Sequence, residues 1–314
     1  MSMSCMLISI VSWFVNSWYV IWMLMEINFI LFMGCFTFMK NYSFSESVMK
    51  YFLMQMFFSL SFLGCCILWF FNLGMILPVY PMVLLLGKLG VFPVHYWLFM
   101  ILGKLEWMTF FILSTAMKLI PLMLIFYSLN LWNIEIFFII SALFGSILGF
   151  NNTSIQKLVG YSSMVYLSWM VLSMVLGIKM FILMFFFYST LLLFMSFMFN
   201  THKSYSINQV MMMNYSFINY CGILCLMFAM CGFPPFLLLL IKWMIFKSLI
   251  WINMKFFMLI LLMSSVMIMI LYFNLWFFCL CFNNMTCKWT FKFSIVNSMF
   301  YIFAVSLWSF FFFL

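Results

Sequence analysis

Apolar runs, each long enough to cross a lipid bilayer, follow one another along almost the whole chain. Apolar residues fill 69% of the 314 positions and charged residues only 5%, whereas a soluble domain carries about 25% charged residues. The runs are continuous and do not alternate with a period of two, which favours helices over barrel strands. At about 20 residues per span, the length accommodates about ten or eleven transmembrane helices. We therefore predict an all-α membrane protein, a helix bundle that forms one transmembrane domain over residues 1–314.

The spans are separated by short polar stretches in which lysines are unevenly placed. The predicted spans are Met3–Val15, Trp18–Met39, Met49–Leu73, Met75–Gly103, Trp107–Leu129, Ile134–Phe150, Leu158–Leu176, Ile178–Phe199, Tyr215–Ile250, Phe256–Phe282 and Phe293–Leu314. The connections after even-numbered spans hold Lys40, Lys50, Lys104, Lys157, Lys203, Lys288 and Lys292, and those after odd-numbered spans hold Lys179 and Lys255. Under the positive-inside rule, this bias places the N-terminus on the cytoplasm-like or matrix side.

The composition also argues against several classes of partner. The net charge of +9 comes from lysines scattered singly, so no basic patch suited to nucleic acid is present in the sequence. The ten cysteines include no CxxC pair. We therefore predict neither nucleic-acid binding nor a metal or iron–sulfur site in this chain.

Four charged residues lie deep inside predicted spans, namely Glu26, Lys88, Lys118 and Lys242. A charge at the bilayer centre costs about 2.5–3.5 kcal/mol, so these side chains must face the protein interior or a water-filled cavity. Because removal from water penalises the charged form, such groups can exchange protons near neutral pH. The four residues therefore suggest a proton relay. Static ion pairs that hold helices together are the alternative.

Prolines lie close to all three of these lysines. Lys88 precedes Pro93, Lys118 precedes Pro121, and Lys242 follows Pro234 and Pro235. A proline leaves the carbonyl four residues before it without its helical donor, which a membrane tolerates only beside protein or water. Broken helices beside buried charge are typical of ion-translocating folds, although a proline can also be a simple packing kink.

The histidine in the segment FPVHYW, His95, lies just past the first predicted break. It is an accessory candidate for the relay. A hydrogen bond from its ring to a carbonyl freed by the break is the competing interpretation.

In these same segments the chain resembles the chain 2 family of the proton-pumping NADH:ubiquinone oxidoreductase, mitochondrial respiratory complex I. The segments, in the order of the family, are WMLMEIN, SESVMKYFLMQ, GKLGVFPVHYW, AMKLIPL, NNTSIQKLVGYSSMVYLSWM and CGFPPFLLLLIKW. They extend over residues 20–250, and the patterns GKLGxxPxHxW and QKxxxYSS…WM are specific in combination.

The resemblance implies an antiporter-like membrane subunit with two proline-broken helices. Glu26 matches the glutamate that pairs with the lysine of the first broken helix, Lys88. Lys118 matches the central relay lysine, and Lys242 the lysine of the second broken helix. The resemblance further implies a mitochondrial inner-membrane location, with this chain bound to lipids and to other membrane and peripheral subunits. NADH, FMN, the iron–sulfur clusters and ubiquinone would be bound by those partner subunits, with none bound here.

The chain departs from the family pattern at four places. The family usually has Pro-Glu soon after the tryptophan, where this chain has Leu98, Phe99 and Met100. Gln156 replaces a common basic residue, and Tyr166 stands where a histidine often falls. Residues 237–241, LLLLI, replace a glycine and a proline, which predicts a less open second break.

The expected function is that of a core subunit that moves protons while quinone is reduced elsewhere in the complex. It would belong to an enzyme without holding a redox site of its own. Two other functions are compatible with the residues: a free-standing cation/proton antiporter, and a purely structural membrane subunit whose buried charges are static pairs.

Overall fold

Almost every residue that can be described lies in a helix. The computed structural model describes residues 2–36, 42–70, 79–128, 135–212, 217–233 and 236–283. No β-strand occurs in these ranges, where one isolated bridge joins Ser154 to Ser206. The prediction of an all-α chain is confirmed.

The helices follow in chain order, with a 3-10 turn at Ser12–Phe14 after the first. They are α1 (Ser2–Val11), α2 (Trp18–Phe36), α3 (Tyr42–Phe70), α4 (Val79–Leu89), α5 (Tyr96–Leu102), α6 (Trp107–Ser114), α7 (Ala116–Ser128), α8 (Glu135–Gly149), α9 (Ile155–Leu176), α10 (Ile178–His202), α11 (Ile207–Met212), α12 (Phe217–Cys231), α13 (Leu237–Trp251) and α14 (Lys255–Asn283).

Several of these helices are membrane spans by length and composition. Six stretches in the described ranges are long and apolar enough to cross a bilayer, and they are Trp18–Phe36, Ser45–Leu68, Trp107–Tyr127, Ile155–Leu176, Ile178–His202 and Lys255–Phe277. Each predicted span up to Phe256–Phe282 coincides with one helix or with two helices separated by a break. The last predicted span, Phe293–Leu314, lies outside the described residues. The chain is a multi-pass membrane protein.

Helix α11 was not predicted, because it lies next to a polar connection. Its start carries a capping box: the side-chain oxygen of Gln209 accepts hydrogen bonds from the backbone N–H groups of Tyr205 (2.7 Å) and Ser206 (3.1 Å), and the Ser206 hydroxyl accepts one from the Gln209 N–H (3.4 Å). Reciprocal bonds of this kind satisfy donors that a helix start otherwise leaves open. The S-x-x-Q spacing was the available sequence signal.

The chain divides into two compact units, Met1–Phe144 and Gly145–Leu314. In the first unit, α7 contacts α1, α2, α4 and α6, and its residues Leu122, Leu124 and Ile125 are fully buried. In the second, α9 contacts α10, α13 and α14 and buries nearly all of its side chains. The prediction of a single transmembrane domain stays a prediction.

Both units contain broken helices. In the first, α4 ends at Leu89 and α5 begins at Tyr96, so the break falls around Pro93 as predicted. In the second, α12 ends at Cys231 and α13 begins at Leu237. Pro234 and Pro235, to which the second predicted break was assigned, lie outside the described residues.

The prolines do not all act alike. Pro121 lies inside α7, and the interruption falls earlier, at Thr115 between α6 and α7. A proline disturbs the turn before it, because its ring crowds the carbonyl four residues back and it offers no N–H. The Thr115 hydroxyl donates to the Phe111 carbonyl at 2.7 Å, which satisfies a polar group at the interruption.

Candidate functional site

A buried ion pair lies at the first helix break. Glu26, on α2, places its carboxylate 3.5 Å from the ammonium of Lys88, which is one residue from the end of α4. The side chains are 17% and 3% exposed, respectively, and the Lys88 ammonium also lies 3.3 Å from the sulfur of Met25. The separation of 3.5 Å exceeds the usual length of a charge-assisted hydrogen bond. The pair is therefore close enough for strong attraction without being tightly bonded.

The backbone at this break is satisfied by backbone bonds and by side chains. The Val91 N–H bonds to the Leu86 carbonyl and the Gly90 N–H to the Gly87 carbonyl, a pair of bonds that ends α4 before Gly90, whose φ is +69°. The Trp97 indole N–H donates to the Gly87 carbonyl at 3.0 Å, and the Gln55 amide donates to the Lys88 carbonyl at 3.4 Å. Neither Trp97 nor Gln55 was singled out in the sequence. A polar residue inside an apolar span was the signal for Gln55.

A small cavity connects Lys88 to Lys118. Its volume is about 20 Å³ and its lining includes both lysines together with Asn28, Tyr51 and Gln55. The side-chain oxygens of Asn28 and Tyr51 are buried and have no hydrogen-bond partner in the described ranges. About 10–15 Å³ suffices for one water molecule when polar partners surround it. The space between the two lysines thus has the size and the lining of a water site.

Lys118 lies two residues after the start of α7, just past the interruption at Thr115. As a whole residue, Lys118 is 5% exposed, and Lys88 on the same basis is 7% exposed. Both lysines are therefore inside the protein and away from lipid, as their position in the spans predicted. The first unit brings together three of the four predicted relay residues, Glu26, Lys88 and Lys118.

His95 precedes α5 at the outer part of the same break. Its Nδ1 atom lies 3.2 Å from the Pro93 carbonyl oxygen, and its ring contacts those of Phe92 and Phe99. This contact fits the interpretation in which the ring binds a carbonyl of the break. The proton-relay role of His95 stays a prediction.

Lys242 lies on α13 in the second unit, in a setting unlike that of the other lysines. Its ammonium lies 4.7 Å from the centre of the Tyr166 ring and 5.8 Å from that of Trp169. It also lines a cavity of about 510 Å³, together with Lys247. Among the residues that the structure describes, Lys242 forms no ion pair.

The positions that depart from the family pattern are mostly buried. Leu98 and Phe99 belong to the core beside the first break, and Gln156 is 1% exposed at the start of α9. Tyr166 is 1% exposed and faces Lys242. Residues 237–241 form the start of α13. In the described part of the chain, no cluster of three or more histidine, cysteine or acidic side chains has the arrangement of a metal site.

Comparison with known proteins gives a consistent result along the sequence. The profile of a transmembrane family described as NADH:quinone oxidoreductase/Mrp antiporter matches residues 15–269. The chain is 34% identical over 297 residues to NADH-ubiquinone oxidoreductase chain 2 of Anopheles gambiae, a match that covers 90% of this chain and 86% of that one. It is 32% identical over 252 residues to chain 2 of Aedes aegypti, covering 77% of this chain and 73% of that one.

Solved structures share the fold. A chain of the Mrp complex from Dietzia sp. DQ12-45-1b matches with a TM-score of 0.71 at 12% identity, covering 81% of this chain and 55% of that chain. A chain of respiratory complex I from Thermus thermophilus matches with a TM-score of 0.68 at 16% identity, covering 82% of this chain and 64% of that chain. This chain thus spans less than two thirds of either solved chain. The likeness confirms the antiporter-like helix bundle.

Proposed function

The chain belongs to the NADH:quinone oxidoreductase/Mrp antiporter family, with NADH-ubiquinone oxidoreductase chain 2 proteins among its relatives, and on this basis we propose that it is a core membrane subunit of the proton-pumping NADH:ubiquinone oxidoreductase, complex I. Its contribution is an intramembrane relay of Glu26, Lys88, Lys118 and Lys242. The relay is driven by quinone reduction in partner subunits.

The proposed mechanism begins with the Glu26–Lys88 pair. A change in the separation of these two charges changes the proton affinity of Lys88, because an opposite charge a few ångströms away stabilises an ammonium. The proton is then passed to Lys118 through water, and the cavity of about 20 Å³ that both lysines line supports this step. The order in which Lys242 follows Lys118 comes from the family resemblance.

The proposal assigns all redox chemistry to other chains. NADH, FMN, the iron–sulfur clusters and ubiquinone are held by partner subunits, and this chain binds no cofactor. It is embedded in lipid in the mitochondrial inner membrane, in contact with other membrane and peripheral subunits of the complex. The lysine distribution supports an N-terminus on the matrix side.

The observation that carries the relay is the arrangement around the first break. A loosely bonded ion pair, the end of a helix and a water-sized space with polar groups in its lining lie together inside a membrane protein. Static pairing alone would favour a close, fully hydrogen-bonded geometry, since desolvated charges need every partner they can reach. The Glu26–Lys88 separation leaves room for the pair to change.

The test uses membranes that contain the assembled complex. The chain should comigrate with NADH-oxidising activity on native gels, and Lys118→Gln should lower the protons pumped per electron by at least a third while NADH oxidation continues. Lys179→Gln, at an exposed position at the start of α10, is the matched control and should leave the ratio unchanged.

Two outcomes would contradict the proposal. A chain that transports cations in liposomes and never comigrates with NADH oxidation would be a free-standing antiporter. A Lys118→Gln variant that assembles poorly but pumps normally per electron would point to a structural subunit.

A further inference from the structure

The second unit contains no acidic side chain. All four glutamates of the chain, Glu26, Glu46, Glu106 and Glu135, precede residue 145, and aspartate is absent. Lys242 therefore has no carboxylate side chain within its own unit. A charged lysine in an apolar span needs some stabilising partner, since a charge is costly there.

Two aromatic rings occupy the place of that partner. Tyr166 and Trp169 lie three residues apart on α9, so both rings project from the same face of the helix. The Lys242 ammonium lies 4.7 Å from one ring centre and 5.8 Å from the other. Both distances fall within the ~6 Å over which the face of an aromatic ring attracts a cation.

The arrangement is closed by a glycine and held by a hydrogen bond. A Cβ atom at Gly232, whose φ is +74°, would stand 3.2 Å from the Lys242 nitrogen, so the ammonium packs directly on the glycine backbone. The Tyr166 hydroxyl donates to the Met230 carbonyl, and its ring packs on Tyr188 with centres 5.0 Å apart. The Tyr166 ring is thereby fixed from two sides.

We propose that Tyr166 and Trp169 form an aromatic cage that holds the charged side chain of Lys242 in place of a carboxylate. Tyr166 and Trp169 are positioning residues. The cavity of about 510 Å³ that Lys242 lines gives the side chain space to move when the rings do not retain it. The role of the cage in pumping rests on the proposed function, whereas the cage itself does not.

A pair of variants in the assembled complex separates the ring from the hydroxyl. Tyr166→Phe keeps the ring and removes the bond to Met230, and Tyr166→Leu removes both. The first readout is the rate at which a membrane-permeant amine reagent modifies Lys242, resolved by mass spectrometry of peptides. We expect Tyr166→Leu to raise this rate several-fold and Tyr166→Phe to leave it within twofold of wild type. Lys247, on the same helix and cavity, is the internal reference and should not change.

The second readout is the number of protons pumped per electron, which should fall in Tyr166→Leu and be retained in Tyr166→Phe. Phe228→Leu, which removes a ring of α12 that packs on Phe273 and Trp276 and on neither ring of the cage, is the control variant and should leave both readouts as in wild type. Equal modification rates in the Leu and Phe variants would overturn the cage, because the hydroxyl or general packing would then account for Tyr166. Normal pumping in Lys242→Gln would instead overturn the place of Lys242 in the relay, while the modification rates would still decide the cage.

Discussion

The two units stabilise a lysine beside a helix break in different ways. In the first, Lys88 faces the carboxylate of Glu26 at 3.5 Å and a small polar cavity. In the second, Lys242 faces the rings of Tyr166 and Trp169 and lines a much larger cavity. The same combination of lysine and broken helix is therefore supported by an ion pair in one case and by ring faces in the other.

The two breaks also share a feature. In each, an aromatic side chain donates a hydrogen bond to a carbonyl near the break: Trp97 to Gly87 in the first, and Tyr166 to Met230 in the second. Met230 precedes Pro234 by four residues in the sequence, so its carbonyl cannot receive a donor from that proline. In the second unit, one residue thus satisfies the backbone and faces the lysine.

The difference between an ion pair at Lys88 and ring faces at Lys242 has a consequence for proton transfer. The attraction between Glu26 and Lys88 depends on the charge of two titratable groups, so a proton on either one changes it. The attraction between a ring and Lys242 depends on the charge of the lysine alone, because the ring faces stay neutral. We therefore expect the first site to respond to its surroundings and the second to respond only to its own protonation.

The largest expected effect comes from removing the carboxylate of the first site. Glu26→Gln leaves the Lys88 ammonium, 3% exposed, without its charged partner. Breaking a buried pair from one side costs about 3–5 kcal/mol, and the 17% exposure of Glu26 argues for the lower end. The amount of assembled complex on native gels should fall several-fold, since ~1–2 kcal/mol already changes protein abundance by that much.

A double variant tests whether the loss comes from the pair. Glu26→Gln with Lys88→Gln removes both charges and should recover part of the assembled complex, although not its pumping. An equal or greater assembly defect in the double variant would mean that the two charges contribute separately. Wild-type assembly in Glu26→Gln would remove the contrast between the two units.

Most of the fold could be predicted from the sequence. Apolar runs, lysine positions and Pro93 indicate the spans and the first break, because in lipid the length and polarity of a segment are strong constraints. The position of the second interruption in the first unit was less predictable. Pro121 indicated a disturbance four residues before it, at the Met117 carbonyl, and the backbone is interrupted at Thr115.

The site could be predicted in its charged residues, and the family resemblance also implied the pairing of Glu26 with Lys88. Glu26, Lys88, Lys118 and Lys242 stand out because charge is costly in a span. The aromatic partners of Lys242 could not be predicted, since a tyrosine or tryptophan in an aromatic-rich chain carries no distinguishing cost. That Tyr166 and Trp169 face Lys242 depends on how α9 packs on α13. Contacts between distant segments of this kind are not encoded in local spacing.

A smaller effect is expected from the glycine that closes the second site. Gly232→Ala places a non-glycine residue at φ +74° and a Cβ atom 3.2 Å from the Lys242 nitrogen. The backbone strain costs about 1–2 kcal/mol, and the Lys242 ammonium must give way by a few tenths of an ångström. We expect a moderate loss of assembled complex together with a measurable fall in protons pumped per electron.

The matched control is Gly177→Ala. Gly177 also has a positive φ, +142°, but a Cβ atom there would meet nothing within 4 Å. This variant should show comparable loss of assembly with normal pumping per electron. If both glycine variants lowered pumping equally, backbone strain would explain the effect and contact with Lys242 would not.

The smallest effect is expected from a pairing that resembles Glu26–Lys88 in chemistry but not in burial. Glu46 lies 2.5 Å from Lys50 and 3.1 Å from Lys104, with its side chain 57% exposed. Its spacing to Lys50 was visible in the sequence, whereas Lys104, far along the chain, is brought to it only by the fold. Exposed pairs are solvated before and after they form, so they contribute little.

We therefore expect Glu46→Gln to assemble and pump like wild type, at both low and high salt. The comparison with Glu26→Gln tests burial, because both variants remove one carboxylate from the lysines that it pairs with in the same unit. A large assembly defect in Glu46→Gln would mean that pairing itself, and not the removal of Lys88 from water, gives the first site its energy. In that case a carboxylate would be stabilising because of its charge, whether exposed or buried. Neutral rings beside Lys242 could then not replace it, and the contrast between the two sites would need a different physical basis.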